Sequence, residues 1–314
     1  MMANKLGLNL FLWTEALKRS TYPLLRKVKR AGYDTVEIPL LDPDRLKVNQ
    51  VKELLDDHEL DVSICAALPP KAHLGSDSQR ARRAGVGFIR KCIDVAAAIG
   101  CDMIAGPLYS PVGFISGKPR RLGEWKRAVR CYKEIAKMAE DKGVSIAVEP
   151  LNRFETYFLN TAADAKKFVQ EVDHPSIGIL FDTFHANLEE KDVAQAILSC
   201  NFLITHVHIS ENDRGIPGTG NIDWEGIQDA LDRVSYGGRL VVETFGYALP
   251  GISRAASIWR PLFPDADTFA AESIAFLREL AGVGEESQPE PVERAQAEES
   301  GEEAEPSQGI PETT

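Results

Sequence analysis

One stretch of the sequence decides the fold: Ser145-Ile146-Ala147-Val148-Glu149-Pro150-Leu151-Asn152-Arg153-Phe154-Glu155. It starts as a short apolar run and ends abruptly in a carboxylate, a proline and a polar loop. This pattern is typical of a buried strand that carries Glu149 at its end. Three further runs have the same design and end in Asp182, His208 and Glu243: Gly178-Ile179-Leu180-Phe181-Asp182, Ile204-Thr205-His206-Val207-His208 and Leu240-Val241-Val242-Glu243.

Strands of this kind alternate with helices along most of the chain. Strict alternation implies parallel strands joined by crossovers, and eight repeats favour closure into a barrel over an open doubly wound sheet. The sequence therefore predicts an α/β fold, a (β/α)₈ TIM barrel. The predicted strands are residues 6–12, 35–39, 61–66, 103–106, 145–149, 178–182, 204–208 and 240–243, and the predicted helices begin near residues 23, 51, 78, 122, 161, 193, 222 and 268.

The composition changes after Gly282 and divides the chain into two parts. Residues 1–282 are predicted to form the barrel domain, whose size fits the roughly 250 residues typical of such barrels. Residues 283–314 contain ten Glu and one Arg, so they carry −9 of the formal net charge of −11. With almost no large apolar residue they cannot offset the entropy of folding. We expect a disordered acidic tail.

Several partners and compartments are disfavoured by composition. No run approaches the roughly 18 apolar residues of a membrane span, and the first twelve residues do not have the pattern of a signal peptide. We therefore expect a soluble cytoplasmic protein that does not bind a membrane. The first 282 residues are nearly neutral, and no basic stripe is visible in the sequence, which argues against a nucleic-acid partner.

The five cysteines are odd in number and lack the close spacing of a zinc site. We interpret them as reduced residues of the core. Cys65 is the exception, because it follows the apolar run Asp61–Ile64 and is expected to face the mouth of the barrel.

The four strand-end side chains predict a metal site. In a barrel of parallel strands the carboxyl ends open onto one face, where the active sites of such barrels lie. Three carboxylates and one imidazole suit Mn²⁺, Mg²⁺ or Co²⁺, whereas structural zinc more often recruits thiolates. His206 lies two residues before His208 on the same face of the strand, so it is expected one layer deeper, beside the ligands.

Around these ligands, Glu155, His185 and Arg214 complete a recognisable set. The most specific segments are Val148–Glu155, Phe181–His185 and His206–His208. Over about residues 5–280 the chain resembles the D-tagatose 3-epimerase and D-psicose (allulose) 3-epimerase family, in the superfamily of xylose-isomerase-like TIM barrels.

This resemblance implies specific roles. Glu149, Asp182, His208 and Glu243 would bind a divalent metal, with Mn²⁺ the first choice. Glu155, His185 and Arg214 would hold the O1 and O2 end of a ketose. Trp13, Cys65 and Leu108 are expected to complete the pocket, and the protein is expected to form a homodimer or homotetramer. Two segments depart from the family: Pro107–Gly113 lacks a tryptophan against the far end of the sugar, and Ser210–Asp213 is closer to the wider superfamily.

The chemistry follows from the weak acidity of a carbon beside a carbonyl. A divalent ion on O2 and O3 would stabilise the charge of a cis-enediolate, while Glu149 and Glu243 would remove and return the C3 proton on opposite faces. The expected activity is a metal-dependent 3-epimerisation of free ketoses.

Other activities remain open at this point. A related isomerase or dehydratase, such as a hydroxypyruvate isomerase or an inosose dehydratase, would share the barrel and the metal. An endonuclease of the same superfamily would need more ligands and a basic face. A non-catalytic binding barrel would bind metal without turnover.

Overall fold

The computed structural model describes residues 4–247 and 249–282. Within them, eight parallel strands form a closed barrel in sequence order, in which β1 pairs with both β2 and β8. This confirms the predicted (β/α)₈ barrel. The predicted tail, residues 283–314, lies outside the described residues. The strands are β1 (Lys5–Asn9), β2 (Thr35–Pro39), β3 (Asp61–Cys65), β4 (Met103–Gly106), β5 (Ser145–Val148), β6 (Ile177–Asp182), β7 (Ile204–Ile209) and β8 (Arg239–Val242).

Helices follow each strand and cover the outside of the barrel. Side-chain caps mark the starts of several of them: Ser78 accepts from the Ala81 amide, and Thr161 accepts from the Asp164 amide. Among the described residues the helices are α1 (Pro23–Arg30), α2 (Val48–Asp57), α3 (Gln79–Ile99), α4 (Leu122–Asp141), α5 (Ala162–Val172), α6 (Thr183–Glu189), α7 (Val193–Cys200), α8 (Trp224–Arg233), α9 (Pro250–Ala255) and α10 (Ala266–Leu280).

Two local differences from the sequence predictions affect the site. The first strand ends at Asn9 and not at Leu12, because the Asn9 side chain accepts the Phe11 amide and Leu10–Leu12 turns into a 3₁₀ helix. His185, expected in a loop after its strand, lies in the short helix α6. Helix α9 was not foreseen from the sequence.

The interior of the barrel differs from one side to the other. On the side of β4, β5 and β6 it is filled by an apolar cluster, which we call the apolar half: Met103, Ala105, Ala147 and Leu180. On the side of β1, β2, β3 and β7 it holds buried polar side chains, which we call the polar half: Asn9, Glu37, Ser63, His206 and His208. Ala147 and Leu180 lie beneath Glu149 and Asp182 on β5 and β6. The polar half meets the predicted ligands through His208 and through Asn9, whose Nδ2 donates to Glu243 Oε1 at 3.3 Å.

Candidate metal centre and substrate pocket

The structure brings the four strand-end side chains together. Glu149, Asp182, His208 and Glu243 are all buried, and each offers one ligand atom within 4.8 Å of the others. The strand register explains this convergence, since Asp182 on β6 pairs directly with His208 on β7. The two glutamates each follow the last residue of their strands, and their amides continue the ladder: Glu149 N–H donates to the Gly106 carbonyl at 3.2 Å, and Glu243 N–H donates to the Ile209 carbonyl at 3.2 Å.

Gly106 is required where β3 and β4 end. Its φ is +133°, and a Cβ at this position would lie 2.2 Å from the Ala66 carbonyl oxygen. Only glycine tolerates this backbone and this close approach. Because the Gly106 carbonyl accepts the Glu149 amide, the glycine helps to fix the height of Glu149 at the rim.

His208 is held in its orientation by a carboxylate beneath it. Its Nε2 lies 2.7 Å from Glu37 Oε1, so the ring proton faces Glu37. Its buried Nδ1 has no hydrogen-bond partner and lies 3.7 Å from Asp182 Oδ2 and 3.5 Å from Glu243 Oε1. An unpartnered imidazole nitrogen among carboxylate oxygens is what an ion would complete. The donor set therefore fits a divalent cation.

Glu37 is the centre of the polar half, and the sequence reasoning missed it. Oε1 accepts from His208 and from Asn9 Nδ2 at 2.9 Å, while Oε2 faces His206 Nε2 at 2.8 Å and accepts from Ser63 Oγ at 2.8 Å. Burial raises the Glu37 pKa, but the two histidines outweigh it and hold the pKa well below its usual value. A glutamate in the middle of the otherwise apolar strand Thr35–Pro39 was the available signal.

Asp182 uses its two carboxylate oxygens differently. Oδ1 caps α6 by accepting the amides of Phe184 at 2.7 Å and His185 at 3.1 Å. Oδ2 faces His208 and accepts from Arg214 Nη1 at 3.1 Å. Burial alone would raise the Asp182 pKa, but the Arg214 guanidinium and the neighbouring histidines hold it far below its usual value. Asp182 is thus an anion at neutral pH.

Arg214 lies buried beside the ligands. Its Nη1 donates to Glu243 Oε2 at 2.8 Å and to Ser210 Oγ at 2.9 Å, in addition to Asp182. The guanidinium carbon lies 4.0 Å from the Phe184 ring centroid and 4.9 Å from that of Phe245. The two rings and the carboxylates hold this cation in place, and burial does not discharge it.

His185 presents an N–H to the same space. Its Nδ1 accepts the Asn152 backbone amide at 3.1 Å, so the proton of the neutral ring lies on Nε2. Burial, together with Arg214, holds the His185 pKa below its usual value despite the nearby carboxylates. Nε2 lies 3.6 Å from Glu149 Oε1. Nε2 also lies 3.3 Å from Arg214 Nη2, so two donors share the space over the cluster, where an acceptor oxygen would be bound favourably.

Burial is the main influence on the pKa of Glu149. The buried side chain lies beside Glu243 and Asp182, and burial and these two carboxylates raise its pKa well above the usual value. The raised pKa means that the crowded carboxylates disfavour ionisation of Glu149, and a bound cation would favour its ionised form.

A pocket of about 160 Å³ opens over this cluster. Of the predicted substrate residues, Glu155, His185, Arg214 and Cys65 line it. The Cys65 thiol lies 3.8 Å from Glu243 Oε1, and burial and that carboxylate raise its pKa well above the usual value. The thiol therefore stays protonated and contributes a small, weakly polar wall.

Two predicted pocket residues lie elsewhere. Trp13 follows the 3₁₀ turn and packs on the core, and Lys27 Nζ lies 5.1 Å from its ring centroid. Phe11 lines the pocket instead. Leu108 is fully buried behind the wall because the chain turns at Gly106, and Pro107 and Val112 line the pocket in its place.

The Ser210–Asp213 departure serves the loop rather than the pocket. The buried Glu211 carboxylate accepts from the Gly218 amide at 2.8 Å and from Trp224 Nε1 at 3.0 Å. It therefore shapes the segment that leads to α8. Ser210 Oγ donates to the Glu243 carbonyl at 2.8 Å and so secures the end of β8.

Comparison with known proteins identifies the family of the chain. A family described as Xylose isomerase-like TIM barrel matches residues 25–280. The chain belongs to this family. None of the helices in the described ranges is long and apolar enough to span a membrane.

Individual relatives are similar over almost their whole length. The chain is 32% identical over 282 residues to a ketose 3-epimerase of Arthrobacter globiformis, covering 88% of this chain and 96% of the relative. It is 32% identical over 252 residues to an L-ribulose 3-epimerase of a Methylomonas species, covering 80% and 88%. A crystal structure of a Methylomonas D-allulose 3-epimerase with D-allulose superposes with a TM-score of 0.85 at 29% identity, covering 89% and 98%. The resemblance noted from the sequence is thereby confirmed.

Proposed function

We propose that this protein is a metal-dependent ketose 3-epimerase that interconverts free ketoses at C3. The observation that carries the proposal is the cluster of Glu149, Asp182, His208 and Glu243 beneath a pocket that also contains an arginine and a neutral histidine. The names of the similar proteins support the reaction class, because they are epimerases that act on ketoses.

The four side chains would hold the cation, and Mn²⁺ is our first choice among Mn²⁺, Co²⁺ and Mg²⁺. Three carboxylates and one imidazole favour such ions over thiolate-seeking metals. When bound, the ion supplies positive charge beside the oxygens that become negative in a cis-enediolate.

Glu149 and Glu243 are the proposed proton carriers. Each carboxylate has two oxygens, so one can contact the cation while the other accepts or returns a proton at C3. Their positions at the ends of β5 and β8, two strands that are not neighbours in the barrel, support contact with the sugar from different sides.

Arg214, His185 and Glu155 are the proposed anchors of the O1 and O2 end. The Arg214 guanidinium and the His185 Nε2–H are donors directed at oxygen, and their fixed positions reduce the cost of ordering the substrate. Glu155 accepts from Asn152 Nδ2 at 2.8 Å, which leaves its second oxygen for a sugar hydroxyl. The apolar wall of Phe11, Val112 and Phe245 excludes water from the reacting carbons.

A substrate screen tests the reaction. The purified protein with Mn²⁺ is incubated with free ketohexoses and ketopentoses, with phosphorylated ketoses, and with hydroxypyruvate and an inosose, and products are separated by chromatography. We expect C3 epimers of free ketoses. Conversion confined to phosphorylated sugars would contradict the free-ketose assignment, and conversion confined to hydroxypyruvate or the inosose would indicate the alternative isomerase or dehydratase.

Deuterated water tests the proton route. Removal and return through solvent-exchanged carboxylates should place deuterium at C3 of the product, which NMR detects directly. A product without deuterium at C3 would contradict this route and indicate a shielded proton or hydride transfer.

The metal identity and the assembly are parts of the same proposal. We propose Mn²⁺ as the working metal and a homodimer or homotetramer as the assembly. Metal analysis of protein purified without chelators and light scattering of the same sample test the two statements separately.

A further inference from the structure

An arginine-lined groove runs along the outside of the barrel between α3 and α4, far from the pocket. It has a volume of about 510 Å³. Glu134 is its single carboxylate. We call it the basic groove; the arginines that line it are Arg82, Arg83, Arg90, Arg127 and Arg130.

Some of these arginines form ion pairs with carboxylates of the described chain, and others do not. Arg127 pairs with Asp77 at 2.7 Å, and Arg90 lies 3.8 Å from Glu134. Arg83 and Arg130 are exposed and have no ion pair or hydrogen bond to the described part of the chain. Lys133 and Lys137 continue the same face beside Arg130. The groove therefore holds an excess of uncompensated positive charge on a barrel domain that is nearly neutral.

The shape of the groove leaves room for an extended chain. Gly87 lies in its floor on α3, and a Cβ built there would have no heavy atom within 4 Å. A second recess shares Arg90, Arg130 and Glu134 with it and continues past Lys137 toward the end of α4. The two recesses adjoin at these shared residues, and the second also reaches Asp173 and His174 at the end of α5.

We propose that the acidic segment 283–314 of the same chain docks in the basic groove. The segment carries ten Glu against one Arg, and it offers almost nothing to an apolar interface. Charge complementarity is its available mode of binding, and the groove supplies the opposite charge.

Length and direction allow this docking within one chain. The helices run back toward the amino ends of the strands, so α10 and α4 end at the same end of the barrel. α10 follows β8 and α4 follows β4, so the two helices lie on opposite sides of the closed barrel. The 32 residues after Gly282 span up to about 105 Å when extended, and this length has to cover the width of the barrel as well as about 30 Å along α4. Tethering also gives the segment an effective concentration on the order of mM, which favours it over free polyanions.

Zero-length carbodiimide cross-linking of the full chain tests the proposal, because it joins carboxylates to lysines in direct contact. Tail glutamates should cross-link to Lys133 and Lys137 within single chains. Lys29 on α1 is the control near the tether: it is exposed, its Nζ donates to the Glu59 carbonyl at 2.9 Å, and α1 contacts α10 through the ion pair between Lys27 and Asp267. Random encounters would favour Lys29, since it is nearer to the tether.

Salt and charge reversal sharpen the test. Raising the salt from 0.01 M to 1 M shortens the Debye length from about 30 Å to about 3 Å, so the yield should fall several-fold. The double variant Arg83→Glu, Arg130→Glu should lower the yield several-fold at low salt. The control Arg26→Glu, Arg30→Glu changes charge equally on exposed positions of α1 and should leave it unchanged.

Three outcomes would overturn the proposal. The first is a yield at Lys29 equal to that at Lys133 and Lys137, or a yield that salt does not change. The second is cross-linking that occurs only between chains and rises with concentration, which would assign the groove to a second copy. The third is binding of an RNA oligonucleotide in the groove with no tail cross-link. Because the salt series uses the unaltered protein, it decides the question even if the charge-reversed variant does not fold.

Discussion

The apolar half and the polar half of the barrel interior perform different tasks in the same fold. Met103, Ala105, Ala147 and Leu180 fill their side by packing alone. Opposite them, Glu37 is buried with both oxygens hydrogen-bonded, because an unpaired buried carboxylate would be very costly. Hydrogen-bonded polar groups therefore replace apolar packing on the side of the barrel where Glu37 holds His208 in its orientation.

Removal of the metal should have the largest effect on function. If the polar half exists to present ligands, chelation should abolish turnover while circular dichroism shows the barrel intact. Mn²⁺ or Co²⁺ should restore activity better than Ca²⁺, which prefers more ligands than this site offers. Full activity in protein shown by metal analysis to be metal-free would contradict the proposed metal dependence.

The next largest effect is expected for Glu149→Gln and Glu243→Gln. Loss of a positioned acid or base typically costs about 10²–10⁴ in rate. Saturating Mn²⁺ should not restore turnover, because the lost function is proton transfer as well as ligation. Glu53→Gln, on the exposed face of α2, is the matched control and should retain the normal rate. Near-normal rates in both site variants would move the assignment to Glu155 or His185.

Glu37→Gln probes the polar half directly. It keeps the size of the side chain but removes the charge that orients and polarises His208. Loss of such a supporting carboxylate typically weakens metal binding about 10–100-fold. Titration of the metal-free protein with Mn²⁺, followed by electron paramagnetic resonance, measures this without reference to activity. An unchanged affinity in the folded variant would show that His208 is oriented by other contacts.

Met103→Ala is the counterpart in the apolar half, and its effect on metal affinity should be the smallest. Met103 lies at the start of β4, at the opposite end of the barrel from the ligands. Truncation of a buried methionine should lower the free energy of unfolding by about 2–5 kcal/mol in urea denaturation. Mn²⁺ affinity should not change. Equal loss of affinity in Met103→Ala and Glu37→Gln would mean that the two halves are not separable.

The clustering of the four strand-end side chains could be predicted from sequence because each ends an apolar run. Glu149, Asp182, His208 and Glu243 stand where the pattern stops, so strand periodicity alone converges on them. Glu37 could not be found this way, because it lies inside its strand and not at the end. Its role depends on His206 and His208, which are distant in sequence.

Two further features, the position of Trp13 and the basic groove, were not predicted from the sequence. Trp13 was placed in the pocket by extending the leucine alternation, but the Asn9 side chain ends the strand earlier and turns Phe11 inward. The basic groove could not be predicted from the sequence, for a different reason. Net charge sums over the chain, whereas the arginines of α3 and α4 meet only after folding.

Asp182 limits which substitutions this site can tolerate. One oxygen holds the start of α6, which carries His185, and the other faces the cluster, so the position has no conservative replacement. Asparagine would keep the cap but lose the charge. Glutamate would keep the charge but displace the oxygen that caps the start of α6. Redesign of substrate preference must therefore avoid this residue. Under the proposed function, Phe11 and Val112, which line the pocket without a side-chain hydrogen bond, are the positions where a different sugar would be accommodated without change to the proposed metal ligands.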